Sequence, residues 1–147
     1  MKISTKGRYA IRMMIDLAEH QTDGFVSLKD VADRQGISKK YLEQIIPVLS
    51  RAGFLQASRG SQGGYRLAKP ASAYTAKDIL ELTEGSLAPV ACLENGAAAA
   101  GCERSEYCAS LQLWRGLEDA IESYLAGVTL QDLLDQQTAL YGNNYII

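Results

Sequence analysis

Apolar residues near the start of the chain fall at Ile11, Met14, Ile15 and Ala18. Steps of three and four place them on one stripe of a helix running from about Ser4 to Glu19. QTDG then reads as a turn. Ser27 with Asp30 makes a capping-box-like start for a second helix that carries Val31 and Ala32, and Gly36 stops it. Ser38 is the N-cap of a third helix bearing Tyr41, Leu42, Ile45 and Ile46. Two short helices joined by the tight turn at Gly36 and Ile37 form a helix-turn-helix pattern. Pro47 lies inside the third helix, where a missing N–H predicts a bend or break, with Val48 and Leu49 still packing inward.

The pattern changes after Gly53. Phe54 to Ser58 and Tyr65 to Leu67 read as short strands, and the glycine-rich RGSQGG between them makes a hairpin. A helix-turn-helix followed at once by a hairpin is a winged helix. Thr75 with Asp78 forms another capping box, starting a short helix to about Thr83. From about Ser105 a long helix carries Leu111, Trp114, Leu117, Ile121, Tyr124 and Leu125 at three- and four-residue steps. Gly127 ends it, Thr129 with Asp132 caps a last helix to about Leu140, and the closing YGNNYII either docks or frays. The expected fold is mainly α with a small β-hairpin wing. A winged helix-turn-helix domain covers residues 1–70, and a cysteine-loop and dimerisation region covers 71–147, with the long helix at about 105–126, in one compact chain. That helix could cover the winged domain. It follows a long loop and a domain that already has core helices, so a homodimer interface is the favoured reading, and paired half-sites on DNA would suit it.

Composition sharpens the picture at one point. With 147 residues, 47% of them apolar and 22% charged, the chain suits a globular protein with a real core. No apolar run approaches the roughly 20 residues of a membrane span, and the charged N-terminus does not resemble a signal peptide, so a soluble cytoplasmic protein with no membrane partner is expected. The net charge of -2 hides a division: residues 1–70 carry 12 Lys/Arg against 6 Asp/Glu, and residues 71–147 carry 3 against 11. A basic front half suits a polyanion such as double-stranded DNA; uneven surface charge serving only solubility is the plain alternative.

Candidate contacts follow from that partner. Lys39, Lys40, Glu43 and Gln44 occupy the outward face of the helix starting at Ser38. The lysines suit phosphates. Glu43 facing a polyanion is costly unless it accepts from a base, typically cytosine N4, or pairs with Lys39 or Lys40. Arg59 at the wing tip could enter the minor groove. Gly63 and Gly64, ahead of Tyr65, would let the backbone pass close to a phosphate, and Lys2, Ser4, Lys6 and Arg8 could clamp the DNA backbone from the first helix.

All three cysteines, Cys92, Cys102 and Cys108, fall in CLENGAAAAGCERSEYC. An odd number of thiols in a reducing compartment argues against a disulfide framework, and structural zinc would prefer a C-x2-C pair. Three cysteinates on a loop suit an iron–sulfur cluster. Oxidation of Cys102 and Cys108 to a disulfide or sulfenate is the second option, and a helix N-terminus would lower the Cys108 pKa in either scheme. One histidine, no nucleophile motif and no Gly-rich phosphate loop leading into Lys-Ser/Thr give an enzyme little support.

MKISTKGRYAIRMMIDLA, GISKKYLEQI and RGSQGGYRLAKP together resemble the winged-helix regulators that include IscR, NsrR and CymR. The resemblance spans nearly the whole chain and implies a homodimeric transcription factor with a long dimerisation helix. It also implies base contacts from Glu43 and Arg59, with Tyr41 and Gln44 in the same motif. Many members hold a [2Fe-2S] or [4Fe-4S] cluster through three loop cysteines, which here would be Cys92, Cys102 and Cys108, with [2Fe-2S] the expected type. The fourth ligand is unknown. The position where IscR-like proteins have histidine is Leu111, and where NsrR-like proteins use a partner's aspartate it is Arg8. Glu103, Glu106, Asp16 or an exogenous ligand remain open, while His20 reads as a solvated helix-end residue. The acidic second half and closing YII also resemble CymR-like regulators of cysteine metabolism, which lack these cysteines and act with cysteine synthase. The alternative is therefore a cluster-free regulator controlled by thiol oxidation or by a regulatory protein partner.

Overall fold

A computed structural model describes residues 1–22, 24–96 and 102–144. The expected turn at Asp23, the centre of the cysteine loop and the closing YII fall wholly or partly outside these residues.

Helix α1 (Thr5–His20) is followed by α2 (Leu28–Gln35) and α3 (Lys39–Arg51). Serines cap all three: Ser4, Ser27 and Ser38 Oγ accept from the backbone N–H of Gly7, Asp30 and Tyr41. At Ser27 the cap runs one way only, whereas Thr75/Asp78 and Thr129/Asp132 close as reciprocal boxes. Gly36 ends α2 in the left-handed conformation, at φ 64°, which only glycine adopts freely.

Of the bend or break expected at Pro47, the break does not occur: α3 is continuous from Lys39 to Arg51. Pro47 and Glu43, one turn earlier, are both exposed. The carbonyl freed by the missing N–H therefore lies on the solvent side, where water can satisfy it.

Strands β1 (Leu55–Ser58) and β2 (Gly64–Leu67) pair antiparallel, with Leu55 opposite Leu67 and Ser58 opposite Gly64. Val26 flanks them, exchanging two 2.8 Å backbone hydrogen bonds with Tyr65. The base of the wing is pinned by Tyr74, whose hydroxyl donates to the Phe54 carbonyl at 2.8 Å and accepts from the Lys69 N–H at 3.0 Å. Burial raises the Tyr74 pKa, against the opposing effect of the Lys69 and Ala68 backbone N–H groups.

Helices α4 (Ala76–Glu84), α5 (Ala109–Ala126) and α6 (Leu130–Asn144) complete the chain. One core unites Met13, Met14 and Leu17 of α1, Val31 of α2, Leu42, Ile45 and Leu49 of α3, and Tyr74, Ile79 and Leu130. Tyr74, Ile79 and Leu130 come from the acidic half, so α4 and the start of α6 pack on the winged helix itself. Within this interior Asp16 is only 1% exposed. Arg34 donates to it through Nε (3.1 Å) and Nη2 (2.7 Å), and Gln35 Nε2 donates at 2.9 Å, locking α2 against α1.

Helix α5 starts later than its apolar spacing predicts. Ser105–Tyr107 form a separate 3-10 turn, and Cys108, in extended conformation, divides it from the helix proper. Leu111 is its one fully buried residue, packed with Leu93, while Leu113 and Tyr124 are 62% and 72% exposed. Helix α6 runs past Leu140 to Asn144, and Gln137 Nε2 donates to Glu19 of α1 at 2.8 Å. Among the described residues no helix is long and apolar enough to cross a membrane.

Candidate nucleic-acid interface and cysteine loop

The third helix presents its polar face as the sequence pattern predicts. Ser38, Lys39, Lys40, Glu43 and Gln44 are exposed, while Leu42, Ile45 and Ile46 are buried. Tyr41 is half-buried and meets Tyr9 of α1 edge-to-face, with ring centroids 5.3 Å apart. That contact sets the start of α3 beside the first turns of α1.

An open cleft of about 560 Å³ separates α3 from the wing. Lys39, Glu43, Arg59, Gly63, Gly64 and Tyr65, distant in sequence, all line it. Lys29 and Ser27 line it too. Periodicity gives no reason to single these two out, although Lys29 is exposed on α2 between the inward Leu28 and Val31. Three cations thus surround one carboxylate, a field that favours a polyanion. Among the described residues Glu43 forms no ion pair with Lys39 or Lys40, leaving its oxygens free to accept.

Gly63 and Gly64 are required by the wing itself: a Cβ on Gly63 would overlap the Ser58 carbonyl and one on Gly64 the Val26 carbonyl. Their lack of side chain closes the wing on its own backbone. One expectation about this surface needs correction: the Ser4 hydroxyl is already engaged, donating to Glu84 Oε1 at 2.6 Å while accepting from the Gly7 N–H. A hydroxyl has one hydrogen, so Ser4 has none left for a phosphate. Lys2 and Arg8 are exposed and Lys6 half-buried, and Arg8 Nη2 donates to Thr5 Oγ1 at 3.2 Å. None of these four lines the cleft.

In the cysteine region Cys92 lies in a 3-10 turn (Ala91–Gly96), Cys102 precedes a turn, and Cys108 stands at the N-terminus of α5. All three are free thiols; Cys92 and Cys102 are exposed and Cys108 is half-buried. Cys108 Sγ lies 3.2 Å from Ser110 Oγ. That hydrogen bond first, then the Leu111 N–H, lowers the Cys108 pKa by favouring the thiolate. The donor chemistry therefore fits a cysteinate-bound cluster. Among the described residues, no group of three His, Cys, Asp or Glu side chains is gathered closely enough to hold a metal. Leu111 is buried against Leu93, and Asp16, one of the open fourth-ligand candidates, is occupied by Arg34 and Gln35. His20 is exposed with Nδ1 3.0 Å from the Asp16 carbonyl, while Glu103 and Glu106 are exposed within the loop.

An exposed polar helix of a helix-turn-helix, facing an arginine-tipped wing across a cationic cleft, defines a winged-helix DNA-binding regulator. The Rrf2 family, described as iron-dependent transcriptional regulators, matches residues 3–136, and the chain belongs to that family. The HTH-type transcriptional regulator IscR of Yersinia enterocolitica is 38% identical over 140 residues, covering 95% of this chain and 83% of its own. CymR (YrzC), the global cysteine regulator of B. subtilis, superposes with a TM-score of 0.76 at 38% identity, over 92% of this chain and 98% of its own. IscR of T. potens gives 0.74 at 38% identity, over 93% and 88%. The relatives are named as transcriptional regulators, and the chain is a DNA-binding transcriptional regulator and not an enzyme.

Proposed function

We propose that this protein is a homodimeric promoter-binding regulator whose DNA affinity responds to an iron–sulfur cluster held by Cys92, Cys102 and Cys108. The observation that carries the reading is the position of the three free thiols. They occupy the connection between α4, which packs in the winged-helix core, and α5, which leaves Leu113, Leu117 and Tyr124 exposed. A family described as iron-dependent supports it. The cluster, [2Fe-2S] in this reading and [4Fe-4S] as the other type, would supply a centre sensitive to oxidant and to iron supply. Glu103, Glu106 or an exogenous group completes the coordination.

The chain's own residues then divide the work. Glu43 and Gln44 read base edges in the major groove, with Lys39, Lys40, Ser38 and Tyr41 against the flanking backbone. Arg59 enters the minor groove, beside Gly63, Gly64 and Tyr65 in the wing. Lys2, Lys6 and Arg8 hold the DNA backbone from α1. Residues 1–70 form the DNA-binding part and 71–147 the sensing and dimerisation part, although the two share a core. Leu113, Leu117 and Tyr124, exposed along α5, form the face that a second copy covers. A loop state that shifts α5 alters the spacing of two recognition helices. A typical coupling of about 1–3 kcal/mol would change DNA affinity roughly 5- to 150-fold.

A second reading, cluster-free control by thiol oxidation, is favoured by the lowered pKa of Cys108 alone. Anaerobic purification separates the two. Visible absorbance with iron and acid-labile sulfide, lost in Cys→Ala variants, and a difference in promoter affinity between loaded and free protein at matched salt are expected. A colourless protein with neither element after reconstitution would overturn the cluster reading and leave DNA binding intact.

A further inference from the structure

The first turn of α1 is capped from outside its own helix. Glu84, the last residue of α4 and 80 positions away, accepts from both the Ser4 N–H (3.1 Å) and the Ser4 hydroxyl (2.6 Å) through Oε1. Ser4 Oγ in turn accepts from the Gly7 N–H at 3.0 Å. A second observation concerns the space around the same carboxylate. Gly7 is buried in a helix, where glycine is a poor choice, and a Cβ there would collide with Glu84 Oε1 and crowd Leu80 and Ile3. The glycine leaves room for the carboxylate. A third feature gives the contact a functional direction, since Tyr9, two residues on, packs against Tyr41 of the recognition helix.

We propose that Glu84 is a positioning residue for DNA binding: through Ser4 it fixes the first turn of α1, so that Lys2, Lys6 and Arg8 meet the DNA backbone in register with α3. The inference rests on the reading of those three cations as a backbone clamp. Helix N-termini ordinarily offer free N–H groups to phosphate, but here a carboxylate already occupies that end. DNA contact at this end of the molecule falls to the flanking cations, whose placement requires an ordered first turn. Glu84 also opposes phosphate by its charge, so its two effects have opposite signs and can be separated. Chain order adds a consequence: Gly85, at φ 79°, ends α4 and the chain runs on from there to Cys92, so the helix bracing the clamp also leads into the cysteine loop.

The test is binding of the full-length protein to a mixed-sequence duplex as a function of salt, where phosphate contacts dominate. Glu84→Gln keeps an acceptor for both Ser4 donors and removes the charge; about twofold tighter binding is expected. Glu84→Ala removes the tether as well. Binding on the order of tenfold weaker is expected, with the salt slope falling by roughly 0.9 for each phosphate that the clamp no longer neutralises. Gly7→Ala, which retains every charge, should follow Glu84→Ala, and Ser4→Ala carries the same test should either fail to fold. A merely structural Glu84 would lower thermal stability and leave the slope at the wild-type value; that result, or Gln and Ala variants shifting together, overturns the proposal. A Lys2→Ala/Lys6→Ala variant with an unchanged slope would overturn the clamp reading instead, and the positioning role with it.

Discussion

Replacing Arg34 by alanine removes the bidentate partner of a carboxylate with 1% exposure. Orphaning a buried charge costs about 3–5 kcal/mol when nothing replaces the partner. Here Gln35 Nε2 still donates to Asp16 at 2.9 Å, and the Arg34 side chain is 33% exposed, so water can enter the space it leaves. These two features reduce the expected loss to about 2–3 kcal/mol. At about 2–4 °C per kcal/mol for a chain of this size, Tm should fall by roughly 4–12 °C. Calorimetry at a fixed protein concentration measures it, since a dimer's Tm depends on concentration. The sign of non-additivity is a sharper check. Asp16→Ala/Arg34→Ala should be destabilised by less than the sum of the two single variants, because the double variant contains no unpaired buried charge. A Tm for Arg34→Ala within about 2 °C of wild type, or strict additivity, would refute the argument that this pair holds α2 against α1.

Two further outcomes follow from the wing and the loop. Gly64→Ala forces a Cβ into the Val26 carbonyl and should open the Val26–Tyr65 bridge. Faster amide exchange at both residues and DNA binding weakened by about tenfold are expected, and wild-type exchange at Tyr65 would contradict the overlap. In cluster-free protein, iodoacetamide should alkylate Cys108 with a pH midpoint below that of a cysteine peptide, because the Ser110 hydroxyl and the Leu111 N–H favour the thiolate. A lowered pKa keeps thiolate present at lower pH, so Ser110→Ala should move the midpoint upward.

How much of this is legible in the chain depends on the range of each interaction. Serine caps at Ser27 and Ser38, the stop at Gly36 and the hairpin after Gly53 are settled within a few residues, and local pattern predicts them; the Ser4 cap appears only in the structure. The outward face of α3 is equally readable, since its inward partners Leu42, Ile45 and Ile46 recur at helical steps. Pro47 does not break α3, because proline's cost depends on whether the freed carbonyl meets water, and a one-dimensional pattern does not report that. The Gly63–Gly64 pair meets the same limit: sequence marks glycine as permissive without saying that the Ser58 and Val26 carbonyls need the room.

Residue types and their spacing by themselves determined a winged helix with a basic front, a cationic recognition face and three thiols in one loop. Only the tertiary structure decided that Ser4 belongs to Glu84, that Asp16 belongs to Arg34, and that Lys29 joins Glu43 and Arg59 around one cleft. Each of these pairs residues from different elements. Periodicity tells which face of a helix is buried, while the partner is chosen by how the helices pack, and packing depends on every element at once.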